Sequence, residues 1–398
     1  MSWVTPPVLV GLGVSATATA ACTFTTLGLG ALAPALRSSL HLTTAEVGLI
    51  AGLVSLGALA ASVPAGNVTD RIGAGRALTL AQLGVMAGVT IAVLAPGRWV
   101  FLGGALVAGV GYGAVNPATN VLSTALVPRR RRALFLSVKQ TGVTLGGLAA
   151  GLALPRLAQT VGWRTALTLA IAVLVCGVLI GLWAAHREAA GWFDSRRGPT
   201  AERSVSTSLS LPRIAPTALF GFVMSGVQFS LAGYLTVYLV DVHGFSKTTA
   251  GTALSVALAS ACVGRIAWGW ISDRWSGSHA RTLTVIAVAS AAAIAAMASG
   301  VGGVSLWLIV VLIGLSSIGW NGVYMALITE PATRGGLGRA TGRGLTAIYA
   351  GAACVPPFIG VVKDVTGSWP VAWGVATAAV LLAGAILAGT SRRLVAVA

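Results

Sequence analysis

Two cations sit where a charge is costly: Arg265 inside the apolar stretch GRIAWGWISDR (264–274) and Lys139 inside SVKQTGVTLGGLAAGLALP (137–155). Arg265 precedes Asp273 by eight residues, about 12 Å along a helix rising ~1.5 Å per residue. By the same measure Lys139 lies about 9 Å past Ala133. A charge at mid-bilayer costs about 2.5–3.5 kcal/mol even on insertion scales. Recognition of an anion offsets such a cost, because arginine offers a planar fork to a carboxylate and lysine adds a second positive charge. Other apolar runs carry groups able to orient a solute oxygen. Asn116 and Asn120 share a helix face at i, i+4, and Asn321 and Tyr324 share one at i, i+3. Gln228, Tyr234 and Tyr238 join them. Each has a bland alternative. Lys139 can snorkel toward headgroups, Arg265 can bond backbone carbonyls, the amides can hold helices together, and the tyrosines can form an interfacial belt.

Other chemistries lack their residues. The four histidines (His41, His186, His243, His279) fall at loops or helix ends, and the four cysteines (Cys22, Cys176, Cys262, Cys354) lie in separate apolar segments. Neither set has metal-ligand spacing, and no nucleophile–base set or phosphate-cradling loop accompanies them. The sequence therefore points away from an enzyme and calls for no metal or cofactor. Any work is driven by an ion or solute gradient.

The elements that position these residues are membrane helices. Of 398 residues, 56% are hydrophobic and 9% charged, against about 25% charged in soluble domains. Apolar runs long enough to span occur near 8–35, 45–65, 76–95, 100–126, 133–154, 165–185, 215–240, 248–271, 281–300, 304–328, 342–362 and 370–390. The start, MSWVTPP, lacks a basic region, so the first run reads as a retained helix. The net charge of +17 would suggest nucleic acid in a soluble protein, but here it lies in short loops. One set of loops holds eighteen basic residues, including Arg129 to Arg132 and Arg334. The other holds six: Arg37, Arg98, Arg156, Arg164, Lys247 and Lys363. That bias puts both termini in the cytoplasm of a multi-pass protein of the cell (inner) membrane.

The chain repeats itself. The hydrophilic stretch 186–214 reads as a cytoplasmic linker between residues 1–185 and 215–398, each with six spans. GNVTDRIGAGR (66–76) follows the second span and GWISDRWSGSHAR (269–281) follows the eighth, both Gly-x-x-x-Asp-Arg loops. Asp70 and Asp273 differ by 203 positions, Asn116 and Asn321 by 205. A duplicated six-helix unit is one way to build a transporter. In each loop the glycine permits close helix approach. The aspartate can accept hydrogen bonds at a neighbouring helix N-terminus, leaving the arginines for acids or lipid.

GNVTDRIGAGR resembles the loop signature of the major facilitator superfamily, matching it at Gly66, Asp70, Arg71, Gly73 and Arg76. The second copy matches at Gly269, Asp273 and Arg274 and lacks the later glycine. The resemblance, which covers the whole chain, implies an all-α membrane protein of twelve transmembrane helices in two six-helix pseudo-symmetric bundles around a central cavity. The loops would latch its cytoplasmic side. It further implies that the first, fourth, seventh and tenth spans line the cavity. The fifth and eighth would bring Lys139 and Arg265 to it at about one level.

The resulting expectation is a secondary transporter of a small organic anion, working as a monomer in the lipid bilayer by alternating access. Arg265, Lys139, Asn116, Asn321, Tyr324, Gln228 and Tyr234 would bind the substrate. A coupled proton enters with the substrate or on Lys139, whereas exchange of anions needs none. Efflux of drugs or metabolites is the main alternative. Against it, Gly142-Val143-Thr144-Leu145-Gly146-Gly147 has valine where family antiporters carry proline, Ala105 stands where they carry arginine, and the first span has no acid. A ligand-binding membrane sensor is a further alternative, disfavoured by the lack of a sizeable appended domain.

Overall fold

The computed structural model describes residues 5–42, 44–124, 127–128, 131–192, 211–275, 278–330 and 337–395. The expected linker lies largely outside the described residues, as do Arg129, Arg130 and Arg334 of the basic loops.

The described chain is helical throughout: α1 (Pro6–Ala31), α2 (Ala33–Leu40), α3 (Thr44–Ile72), α4 (Ala74–Val93), α5 (Arg98–Thr124), α6 (Arg132–Val161) and α7 (Trp163–Ala189). It continues with α8 (Leu211–His243), α9 (Lys247–Arg274), α10 (His279–Ala298), α11 (Gly303–Ile313), α12 (Asn321–Thr329), α13 (Leu337–Thr366) and α14 (Trp369–Val395). Eleven spans among the described residues are long and apolar enough to cross a membrane, counting 303–329 as one. The thirty-residue α6 carries Lys139, Gln140 and Arg156, which dilute its hydropathy.

Three expectations are corrected. The first span, expected over 8–35, stops at Ala31 and a short α2 follows. Pro34 has no N–H to continue the ladder and fits the first turn of a new helix. The tenth span is not one regular helix. A π turn at Gly314–Ile318 separates α11 from α12, where Gly314, Ser316, Ser317 and Gly319 interrupt the apolar run. The repeated motifs are not wholly loops either. Gly66, Asp70 and Arg71 lie in the last turns of α3, and Gly269, Asp273 and Arg274 in the last turns of α9. The turn after α3 falls on Gly73, whose φ of 94° suits glycine.

The helices form two compact units. The first comprises Met1–Arg129, Val138–Thr200 and Pro331–Thr346, and the second Arg130–Ser137, Ala201–Glu330 and Ala347–Ala398. A division at 186–214 does not anticipate the two short stretches 130–137 and 331–346. They are the starts of α6 and α13, and each is held by an aspartate of the unit that takes it.

Small residues set the packing, as expected where lipid removes the hydrophobic drive between helices. In the first unit a β-carbon on Gly88 would run into the Ala108 backbone, and one on Gly109 into Val54, so α4 and α3 both lie tight on α5. Gly142 and Gly146 of α6 meet the Ala16 and Ala20 carbonyls of α1 in the same way. In the second unit Gly264 of α9 lies against Leu315 of the π turn, and Gly351 of α13 against Phe222 of α8.

Candidate functional site

In the first unit α5 presents Asn116, Thr119 and Asn120 on one face, at i, i+3 and i+4. Lys139 of α6 reaches all three. Its Nζ donates to Asn116 Oδ1 (2.8 Å), Asn120 Oδ1 (2.9 Å) and Thr119 Oγ1 (3.2 Å), and the side chain is 0% exposed. Thr119 can accept because its own proton goes back to the Val115 carbonyl at 2.8 Å. An ammonium only donates, so both amides must turn their oxygens toward it. The Asn120 Nδ2 then faces away and donates to Thr341 Oγ1 of α13 at 3.3 Å. From α1, Ser15 Oγ donates to the Thr119 carbonyl at 3.0 Å and ties that helix to the group.

Hydrogen bonds to a charged group contribute about 1.5–3 kcal/mol each. Three of them outweigh the 2.5–3.5 kcal/mol insertion cost. Lys139 therefore does not snorkel; it is caged by neutral oxygens of α5. The two asparagines were visible in the sequence. Thr119 and Thr341 were missed, because threonines in apolar helices usually bond their own preceding turn and give no separate signal.

In the second unit Arg265 sits in the second half of α9, nine residues before its end, and is 2% exposed. The adjacent Gly264 packs on the π turn, and Trp268 Nε1 donates to the Leu315 carbonyl of that turn at 2.9 Å. The π turn thus sets the stretch of α9 that carries Arg265, a placement common for such bulges at functional sites. Gln228 of α8 and Asn321 of α12 also come together, Asn321 Nδ2 donating to Gln228 Oε1 at 2.8 Å. Trp320 Nε1 donates to the same oxygen at 2.9 Å, a partner the sequence reading missed. Tyr324 is fully buried, edge-on to Trp320 at 5.3 Å. The Tyr234 hydroxyl donates to the Pro356 carbonyl at 3.1 Å and its ring lies 5.9 Å from Trp369. Tyr238 is enclosed with Trp369 and Trp373, so these two tyrosines belong to one aromatic cluster of their unit.

The duplicated motif does the same work twice. Asp70 Oδ2 accepts the Arg339 N–H at 2.9 Å in the first turn of α13, with Arg339 Nε at 3.5 Å. Asp273 accepts the Ala133 and Leu134 N–H groups of the first turn of α6, at 3.2 and 3.1 Å. Both carboxylates satisfy orphan donors at the positive end of a helix. The glycine four residues earlier lies on the same face. A β-carbon at Gly269 would stand 2.6 Å from Ser137 Oγ and 2.9 Å from Leu134 Cα, so glycine admits the helix that the aspartate caps. Gly66 occupies the corresponding place in α3 and is buried. Arg71 and Arg76 are exposed, and the Arg274 guanidinium lies over the Trp270 ring at 4.2 Å.

A third acid was not foreseen. Glu188, at the end of α7, accepts the Ala74 and Gly75 N–H groups that open α4, at 3.1 and 2.8 Å. Glu188→Ala should cost about 1–2 kcal/mol, the usual worth of a helix cap with its dipole contribution, while Glu188→Gln keeps an acceptor and should cost less. Thermal unfolding in detergent checks both.

The comparisons with known proteins agree with this architecture. The family model described as Major Facilitator Superfamily matches residues 14–356. A 2-nitroimidazole transporter of Escherichia coli is 27% identical over 388 residues, covering 91% of this chain and 90% of that protein. A gentisate transporter of Corynebacterium glutamicum is 26% identical over 321 residues, 76% of this chain and 69% of the relative. Among solved structures, a human organic anion transporter superposes with a TM-score of 0.76 at 15% identity, covering 96% of this chain and all of that one. With its duplicated aspartate caps and its all-helical fold, this multi-pass membrane protein belongs to the major facilitator superfamily, a family of transporters and not of enzymes.

Proposed function

We propose that the protein is a secondary transporter that moves a small organic anion, in the first instance a carboxylate, across the cell membrane by alternating access. Both termini lie on the cytoplasmic side. One observation carries the reading: Arg265 keeps a permanent charge buried inside a membrane-spanning helix, nine residues before its end. Arg265 is the principal recognition charge. Gln228, Asn321 and Tyr324 supply the polar surroundings from their own unit, with Tyr234 supporting them from the aromatic cluster. Lys139 contributes positive potential while Asn116 and Asn120 hold it in place. The aspartate caps act as latches that release and re-form during the cycle. Relatives named for gentisate and for 2-nitroimidazole transport support an organic solute, and the first supports an anionic one.

Thermal stabilisation of the purified protein tests this. The panel is small mono- and dicarboxylates, inorganic anions, neutral sugars and cationic drugs, on wild type and Arg265→Gln. A ligand at 100 times its Kd adds about 2.7 kcal/mol when it binds only the folded state. Carboxylates should stabilise wild type and lose that effect in the variant. Equal stabilisation of both proteins by neutral or cationic compounds would defeat the reading and favour efflux.

A further inference from the structure

A groove of about 420 Å³ runs between α3 and α4, floored by α5 and lined by Ala61, Pro64, Val68, Leu80, Ala81 and Ala114 among others. It exists because α3 and α4 each press on α5 through glycines, at Gly109, Gly113 and Gly111, leaving a trough where they part. The one hydroxyl in its wall, on Thr69, is turned back to the Ala65 carbonyl at 2.8 Å, so the lining is apolar. Along α3 the groove runs from Ala60 to Thr69, nine residues or about 14 Å. That is close to half of a ~30 Å hydrocarbon core, the depth of one leaflet.

The motif end of the groove is basic. Arg71 follows Val68 by three residues and Arg76 precedes Leu80 by four, so helical spacing puts each arginine on the face that lines the trough. Both are exposed. The neighbouring acids face other duties, Asp70 at the start of α13 and Glu188 at the start of α4. An apolar trough one leaflet deep, ending at two guanidinium groups, complements a phospholipid in shape and in the charge of its phosphate.

We propose that this groove binds one acyl chain of an anionic phospholipid, with its phosphate held by Arg71 and Arg76. Guanidinium forks suit phosphate, and each basic residue near an anionic headgroup strengthens binding severalfold. A second copy of the chain fits less well. A helix is 10–12 Å wide, and two such faces would bring four arginines together.

The test is native mass spectrometry of the full-length protein in detergent, titrated with phosphatidylglycerol or phosphatidylcholine of identical acyl chains. Wild type should retain phosphatidylglycerol about thirtyfold more strongly. The Arg71→Gln/Arg76→Gln variant should bring the two lipids to parity. Ala114→Phe, which fills the floor, should lower retention of both. Equal retention of the two lipids by wild type would overturn the proposal, as would a preference that survives the double variant. Inorganic phosphate displacing phosphatidylglycerol at equal concentration would make this a free-anion site and defeat the acyl part. A dimer blocked by Ala114→Phe, with no bound lipid, would assign the groove to a second copy.

Discussion

Replacing Asn116 and Asn120 together by leucine should destabilise the protein by about 3–5 kcal/mol, more than replacing Lys139 by methionine. The double variant removes two amide oxygens that accept from the Lys139 ammonium, and breaking the hydrogen bonds of a buried charge costs that much. It also cuts the bond from Asn120 to Thr341. Lys139→Met leaves oxygens without a donor but takes the charge away with it, and should cost about 2 kcal/mol. Combining all three changes removes the charge together with both amides and leaves Thr119, whose proton is already bonded to Val115, so the triple variant should be more stable than the sum of the two sets predicts, by at least about 1 kcal/mol. Denaturant unfolding in detergent measures the cycle. Strict additivity would mean that the lysine and the amides do not depend on one another.

Gly269→Val should rank next, at about 3–4 kcal/mol. The new branches would meet Ser137 and the Leu134 backbone, an overpacking cost of about 1–3 kcal/mol, and would push the start of α6 off the Asp273 carboxylate. Asp273→Asn alone keeps one acceptor and should cost about 1 kcal/mol. Because the valine already breaks the cap, adding Asp273→Asn to it should cost little more. Hydrogen exchange at the Ala133 and Leu134 amides gives a local readout. Both should lose protection in Gly269→Val. Retained protection there would show that the glycine does not serve the cap.

How far the sequence alone reached follows from which signals are local. The Gly-x-x-x-Asp repeat was legible with its chemistry, because one turn of helix puts glycine and aspartate on the same face in both copies. Arg265 and Lys139 stood out because charge in an apolar run is rare. The cage around Lys139 was not legible. Asn116 and Asn120 were noted as a pair, but nothing local shows that α6 lays its lysine across them. Trp320 carried no signal of its own, because nothing local shows its indole N–H reaching Gln228. Glu188 closes one helix from the end of another, and the glycines and serines at the π turn sit in a span that is otherwise continuously apolar. Helix ends drifted for a physical reason too. Hydropathy marks where the bilayer stops, whereas α3 runs past its expected end to Ile72 and α9 to Arg274, which brings Asp70 and Asp273 to their caps.

The central claim is that Arg265 recognises a transported anion, and flux tests it most directly. Wild type, Arg265→Lys and Arg265→Gln would be reconstituted into proteoliposomes and offered radiolabelled small mono- and dicarboxylates, with a neutral sugar and a cationic drug for comparison. The account predicts that wild type moves at least one carboxylate. Arg265→Lys should keep a fraction of that flux, having the charge without the fork, and Arg265→Gln should fall by about tenfold or more. Carboxylate flux unchanged in Arg265→Gln, or flux confined to the neutral and cationic compounds, would contradict it.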